Sequence, residues 1–169
     1  MPIYSKGSAC NSSSVVCLNT NRGSCLWLSG TVTDPVYTTD GKYTWKCNAF
    51  VAKCYTNGAG IGHQSSSNPS GYPVNRSWRG NAYPPAATDI HNTSHPISNL
   101  VSVKSPQIGD IVAFGGGHYH GHVGIYLGGN LIIYAGQNDV KLGTIPYVQK
   151  SDGFNQAVTY RRYVPAGRR

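Results

Sequence analysis

The chain has 169 residues, 14 Lys plus Arg against six acidic residues, and a formal net charge of +8. All six acids are Asp, and the lack of any glutamate excludes HExxH zinc proteases and calcium loops closed by a bidentate Glu. Charged residues are only 12% of the chain, about half the globular norm, while Gly reaches 21 and Tyr 12. The length predicts a single domain over 1–169.

Residues 1 to about 42 are rich in Ser, Asn, Thr and Gly, with short apolar runs at Val15-Val16 and Leu26-Trp27-Leu28, and predict turns and brief strands. From Tyr43 the pattern changes. Cys47, Phe50, Val51 and Cys54 fall at i, i+3, i+4 and i+7, the apolar stripe of a helix that Asn57-Gly58 stops and Thr44 could cap. Residues 59 to about 106, interrupted by Pro69, Pro73, Pro84, Pro85 and Pro96, predict a long ordered loop. Tyr72, Trp78 and Tyr83 could wall a cleft there or pack as a satellite core.

Three strands follow: 111–114, 123–127 and 131–135, the last two joined by a Gly128-Gly129-Asn130 hairpin turn. A fourth strand is expected from Ala157 to Val164. A helix followed by a run of strands predicts an α+β domain rather than a doubly wound one.

Five cysteines, Cys10, Cys17, Cys25, Cys47 and Cys54, leave at least one unpaired. Their spacing matches no CxxC zinc pattern, and a disulfide among Cys10, Cys17, Cys25 and Cys54 is expected only in an oxidising compartment. Cys47 is the thiol best placed to be a thiolate. It opens the helix beside Lys46, and a helix N-terminus and a nearby cation both stabilise the anion. The alternative is a small buried hydrophobe on the helix stripe.

Such a nucleophile needs a base. Of six histidines, His122 stands at the start of an apolar strand, where its side chain can face a neighbouring helix terminus. Imidazole could there take the thiol proton and return it to a leaving amine. His118, His120 and His122 also sit at i, i+2 and i+4, so a metal- or carbohydrate-binding module is a rival reading, although no carboxylate nearby offers a second shell.

The segments YTWKCNAFVAKCYTNGAG, GDIVAF and GHVGIYLGGNLIIYAG, in that order, resemble the NlpC-type cell-wall cysteine peptidases and the related CHAP amidases over about residues 43–136. The resemblance implies an α+β, papain-like NlpC-type core, with the Cys-bearing helix packed on an antiparallel sheet. It implies hydrolysis of a stem-peptide or cross-link amide of peptidoglycan, with Cys47 as nucleophile, His122 as general base and no cofactor or metal. The backbone N–H of Cys47 and a neighbouring donor would form the oxyanion hole. Asp110 matches a family position too, but is expected to close a turn before its strand.

The third member departs from the family pattern: where a His, Asn, Gln or acidic residue is usual, hairpin spacing puts Tyr134, with Asn138 as the other candidate. A dyad without an orienting side chain also stays open. The scattered basic residues, with Arg161-Arg162 and Arg168-Arg169 as the only clusters, suit an anionic wall better than nucleic acid. No apolar run approaches the roughly 18 residues of a membrane span, so no membrane role is expected.

The start, Met1-Pro2-Ile3-Tyr4-Ser5-Lys6, lacks the apolar core of a cleavable signal. With the size and the resemblance, this suggests a type VI secretion amidase effector, an antibacterial toxin injected into the target-cell periplasm and neutralised by a cognate immunity protein. An acyltransferase or deamidase acting on a host protein or lipid is the same-fold alternative.

Overall fold

The structure is a computed structural model. It describes residues 47–74, 84–117, 121–136 and 140–168 with their side chains, and the backbone of short strands at 17–19, 25–27, 36–37, 43–44, 76–78 and 81–83. These strands pair as three antiparallel hairpins, β1(Cys17–Asn19) with β2(Cys25–Trp27), β3(Val36–Tyr37) with β4(Tyr43–Thr44), and β5(Arg76–Trp78) with β6(Asn81–Tyr83). Thr44 is therefore not the expected helix cap. It lies opposite Val36 in a strand, and that pairing overrides its capping tendency.

Helix α1(Cys47–Lys53) runs on into a π-helical turn, Cys54–Gly58, closed by a 3.0 Å bond from the Ala59 N–H to the Cys54 carbonyl. The helix ends where Asn57-Gly58 predicts. Beyond it the expected long loop is instead broken by the β5–β6 hairpin, by α2(Ala87–His91) and by β7(Leu100–Val103).

The remaining strands are β8(Ile111–Phe114), β9(His122–Gly128), β10(Leu131–Ala135), β11(Val140–Thr144) and β12(Thr159–Tyr163), with α3(Ile145–Ser151) between the last two. They form one six-stranded sheet in the order β11-β10-β9-β8-β12-β7, antiparallel throughout. The α+β expectation is met.

Alternation along the strands divides the core in two. Ile111, Ala113, Val123, Ile125, Ile133 and Ala135 point to one face, where Phe50 and Val51 of α1, Cys54 of the π-helical turn and Ala87 and Ile90 of α2 cover them. Val112, Phe114, Ile132 and Tyr134 point to the other, against Ile145 and Val148 of α3 and Phe154. Because both faces are covered, β8 is buried along its whole length and reads as continuous apolar sequence. The sheet is sandwiched, where the sequence suggested one helix on one face.

Two sequence expectations change with packing. Tyr72 is fully buried and stacks on Tyr55 at 5.2 Å, so it belongs to the core and walls no cleft. The side chains of Trp78 and Tyr83 lie outside the described residues. Nor is the Arg161-Arg162 pair a docking patch. Arg162 forms a two-pronged ion pair with Asp110, Nε to Oδ1 at 2.9 Å and Nη2 to Oδ2 at 2.8 Å, and Arg161 is buried at 2% exposure.

Asp110 also accepts the Gln107 N–H at 2.7 Å and donates its own N–H to the Gln107 carbonyl at 3.0 Å. It closes the turn before β8, as expected of it.

Candidate active site

Cys47 is the first residue of α1 and is partly exposed, its side chain resting on the core that α1 shares with the sheet. The first turn of any helix presents N–H groups without helical partners, which favours a thiolate there. Cys54, two turns on, is the opposite case. It is fully buried, and burial pushes its thiol well above the ordinary cysteine range, so it is inert at neutral pH. It also carries a free thiol, which removes it from the set of cysteines expected to pair. Cys10, Cys17 and Cys25 have side chains outside the described residues.

Asn48, next to Cys47, is buried and donates to the Pro85 carbonyl at 3.1 Å. The segment after Pro85 runs along the start of β9. At Gly121 a Cβ would lie 3.4 Å from the Thr88 nitrogen, 3.5 Å from the Ala87 carbonyl carbon and 3.0 Å from the Phe114 oxygen. A side chain there would crowd the Phe114 carbonyl and would touch the start of α2, so the two segments run in close contact. Residues 85–88 thus link the start of α1 to the start of β9, bringing Cys47 and His122 to the same end of the sheet.

His122 is the first residue of β9 and pairs with Phe114. Its ring points to the α3 side, where it meets Phe114 at 6.0 Å, Phe154 at 6.1 Å and nearly parallel, and Tyr134 at 5.1 Å edge to face. Cys47 packs on the α1 side. The two candidate side chains therefore lie on opposite faces of the sheet.

The Nε2 of His122 is buried with no hydrogen-bond partner among the described residues. That leaves Nδ1 as the candidate nitrogen for a thiol proton. Burial is the main cause that lowers the ring's pKa to about 4, with the Asp152 carboxylate pulling weakly the other way. The residue as a whole is only partly buried, but Nε2 is fully enclosed, and the ring's surroundings govern its titration. Burial thus favours the uncharged imidazole at neutral pH, the form a general base needs.

The same shift affects stability. An unfolded His binds its proton near pH 6.5, whereas the folded ring resists until about pH 4. The unfolded chain binds more protons in that window, so the contribution of the neutral ring is complete above pH 6.5 and is lost as the pH falls toward 4. The loss should reach about 3 kcal/mol at most. Urea midpoints of the wild type and His122→Gln, taken from pH 7 to pH 4, should show the wild type losing its advantage over this interval. A constant difference between the two proteins would contradict the burial of the ring.

Of the two candidates for the third position, Tyr134 lies against His122, but not as a hydrogen-bond partner. A Cβ at Gly143 would sit 3.4 Å from its hydroxyl, which places that oxygen toward β11, and Nε2 has no hydrogen-bond partner among the described residues. Asn138 lies outside the described residues, as do His118 and His120 of the rival metal reading. Among the described residues no group of three or more His, Cys or Asp could hold a metal ion, and no helix is long and apolar enough to cross a membrane. Sequence reasoning missed Phe114, Phe154 and Asn48. Strand pairing across β8 and β9 could have revealed Phe114, but nothing local points to Phe154.

The model of the NlpC/P60 family matches residues 35–162, from β3 to β12 and so well beyond the 43–136 core that the motifs delimit. The chain belongs to the NlpC/P60 family. Its α+β architecture is the family's papain-like fold, and NlpC/P60 members are cysteine peptidases and amidases that act on peptidoglycan. This NlpC/P60 protein is accordingly a peptidoglycan-hydrolysing cysteine peptidase or amidase. No curated protein matches the chain.

Proposed function

We propose that the enzyme hydrolyses one stem-peptide or cross-link amide of peptidoglycan through a thioester on Cys47, with His122 as general base. The observation that supports this is the junction at residues 85–88, which holds the start of α1 against the start of β9. His122 Nδ1 takes the thiol proton as sulfur attacks the amide carbon. The oxyanion is met by N–H groups at the start of α1, and the imidazolium then protonates the departing amine. Water, deprotonated by the same imidazole, cleaves the thioester, releasing a carboxylate and restoring the thiol.

The +8 charge favours association with an anionic wall. With Arg161 and Arg162 engaged internally, exposed Lys104, Lys141, Lys150 and Arg168 carry that role among the described residues. The same proposal includes delivery as a type VI effector into a rival's periplasm and neutralisation there by an immunity protein.

Mass spectrometry of digested sacculi should show a single type of new amine and carboxylate pair, which identifies the amide cut. Intact sacculi together with an acylated or deamidated protein would replace the proposal with the transferase reading. Expression directed to the periplasm should lyse cells while cytosolic expression should not. Equal tolerance of both would overturn the effector role.

A further inference from the structure

We propose that Phe154, with Phe114 and Tyr134, is the positioning device for His122, holding the ring by aromatic packing where Cys-His hydrolases commonly use a hydrogen-bond acceptor. This rests on the reading of His122 as the base.

The three rings come from three separate elements: Phe114 from β8, Tyr134 from β10, and Phe154 from the turn between α3 and β12. Phe154 lies at 18° to the imidazole and Tyr134 at 84°. A parallel neighbour limits tilting of the ring and a perpendicular one limits its rotation, and such contacts each contribute about 0.5–1.5 kcal/mol beyond burial. Hydrogen bonding adds nothing at Nε2 among the described residues, where it has no partner. Packing is the restraint the geometry provides at that end of the ring.

Phe154 is itself wedged. Its N–H donates to the Gln149 carbonyl at 2.9 Å, and the nearby Gln156 N–H reaches the Gly115 carbonyl at 3.2 Å. A Cβ on Gly117 would lie 2.8 Å from the Phe154 ring, so the glycine-rich segment after β8 is shaped to admit it. At 7% exposure, Phe154 is itself buried, with its ring stacked on the imidazole. Of the described elements packed on His122, β8 offers no titratable side chain, β10 offers Tyr134, and the turn after α3 offers Asp152. On the α3 side the ring therefore meets mainly apolar surface, with one carboxylate acting on it.

In the full-length chain, Phe154→Ala should lower kcat/KM at pH 7 about 10- to 100-fold, since a freed ring no longer keeps attack geometry. Water admitted to the ring should raise the acid limb of the pH profile by about one to two units, from near 4 toward the ordinary histidine value. Phe154→Tyr, which keeps the ring, should restore both. The His122 Cε1 resonance, titrated by NMR on a Cys47→Ala background, should move with the limb.

Phe154→Leu covers the case in which the alanine variant fails to fold. It should fold and still shift the limb, whereas wild-type behaviour would show that burial alone suffices and would overturn the proposal. An unmoved limb and NMR titration in folded Phe154→Ala would overturn it too. Full activity in His122→Ala would instead remove His122 as the base, and the NMR titration would still test whether the rings control the imidazole.

Discussion

Cys47→Ala should reduce release of peptidoglycan fragments by about 10⁴-fold or more, because without the sulfur no thioester forms and His122 has no proton to take. The fold should be untouched. Cys47 sits partly exposed at the first position of α1, and alanine is the best helix former, so the unfolding free energy from urea titration should change by less than about 1 kcal/mol.

The matched control is Cys54→Ala, which removes a fully buried sulfur two turns along the same helix stripe. It should cost about 1–2 kcal/mol of stability and leave turnover in place. Alkylation should discriminate in the same sense. Peptide mapping after brief treatment at pH 7.5 should find Cys47 modified and Cys54 intact, since burial keeps the latter protonated. Turnover that persists in folded Cys47→Ala and disappears in Cys54→Ala would reverse the assignment of nucleophile.

What the sequence reveals of this site, and what it conceals, follows from the range of the interactions involved. Phe50, Val51 and Cys54 bury one stripe against the sheet, so the period of α1 is written locally. The strands 111–114, 123–127 and 131–135 read clearly because both faces of the central sheet are covered, leaving almost uninterrupted apolar runs. The edge strands are less legible. β11, whose residues are all exposed or half-buried, and β7, set among serines and a lysine, carry no such signal.

Helix α2 is hidden for a different reason. It has five residues, no side-chain cap and a stretch of prolines before it, and isolated helices that short do not persist. The face on which His122 lies was also out of reach. Hairpin spacing puts Tyr134 near it, but the third ring arrives from Phe154, thirty-two residues along the chain and across a helix. Asp110, by contrast, acts within its own turn and was readable as such.

Arg161 holds α2 in place, and its loss should be the most destabilising single change in the described fold. Its guanidinium donates to five carbonyls: Ile90 at 2.8 Å, Leu100 at 3.2 Å, Asp89 at 3.4 Å, Asn92 at 2.6 Å and His95 at 2.8 Å. Several of these belong to the last turn of α2 and the loop beyond, which have no other continuation of the helix to satisfy them. Arg161→Met keeps the aliphatic stem and removes every donor. The buried carbonyls then lose their partners together, at a cost of about 3–5 kcal/mol, a large part of the stability of a domain this size.

Arg161→Lys, with a compact ammonium in place of the planar fork, should recover only part of that. Hydrogen exchange should locate the damage at residues 87–100 before the rest of the sheet. Because residues 85–88 also carry the link between Asn48 and Gly121, turnover should fall in Arg161→Met under conditions where the protein is still folded. Uniform loss of protection across the sheet, with full turnover in the surviving folded fraction, would show that Arg161 stabilises the whole sheet without supporting the junction between Cys47 and His122.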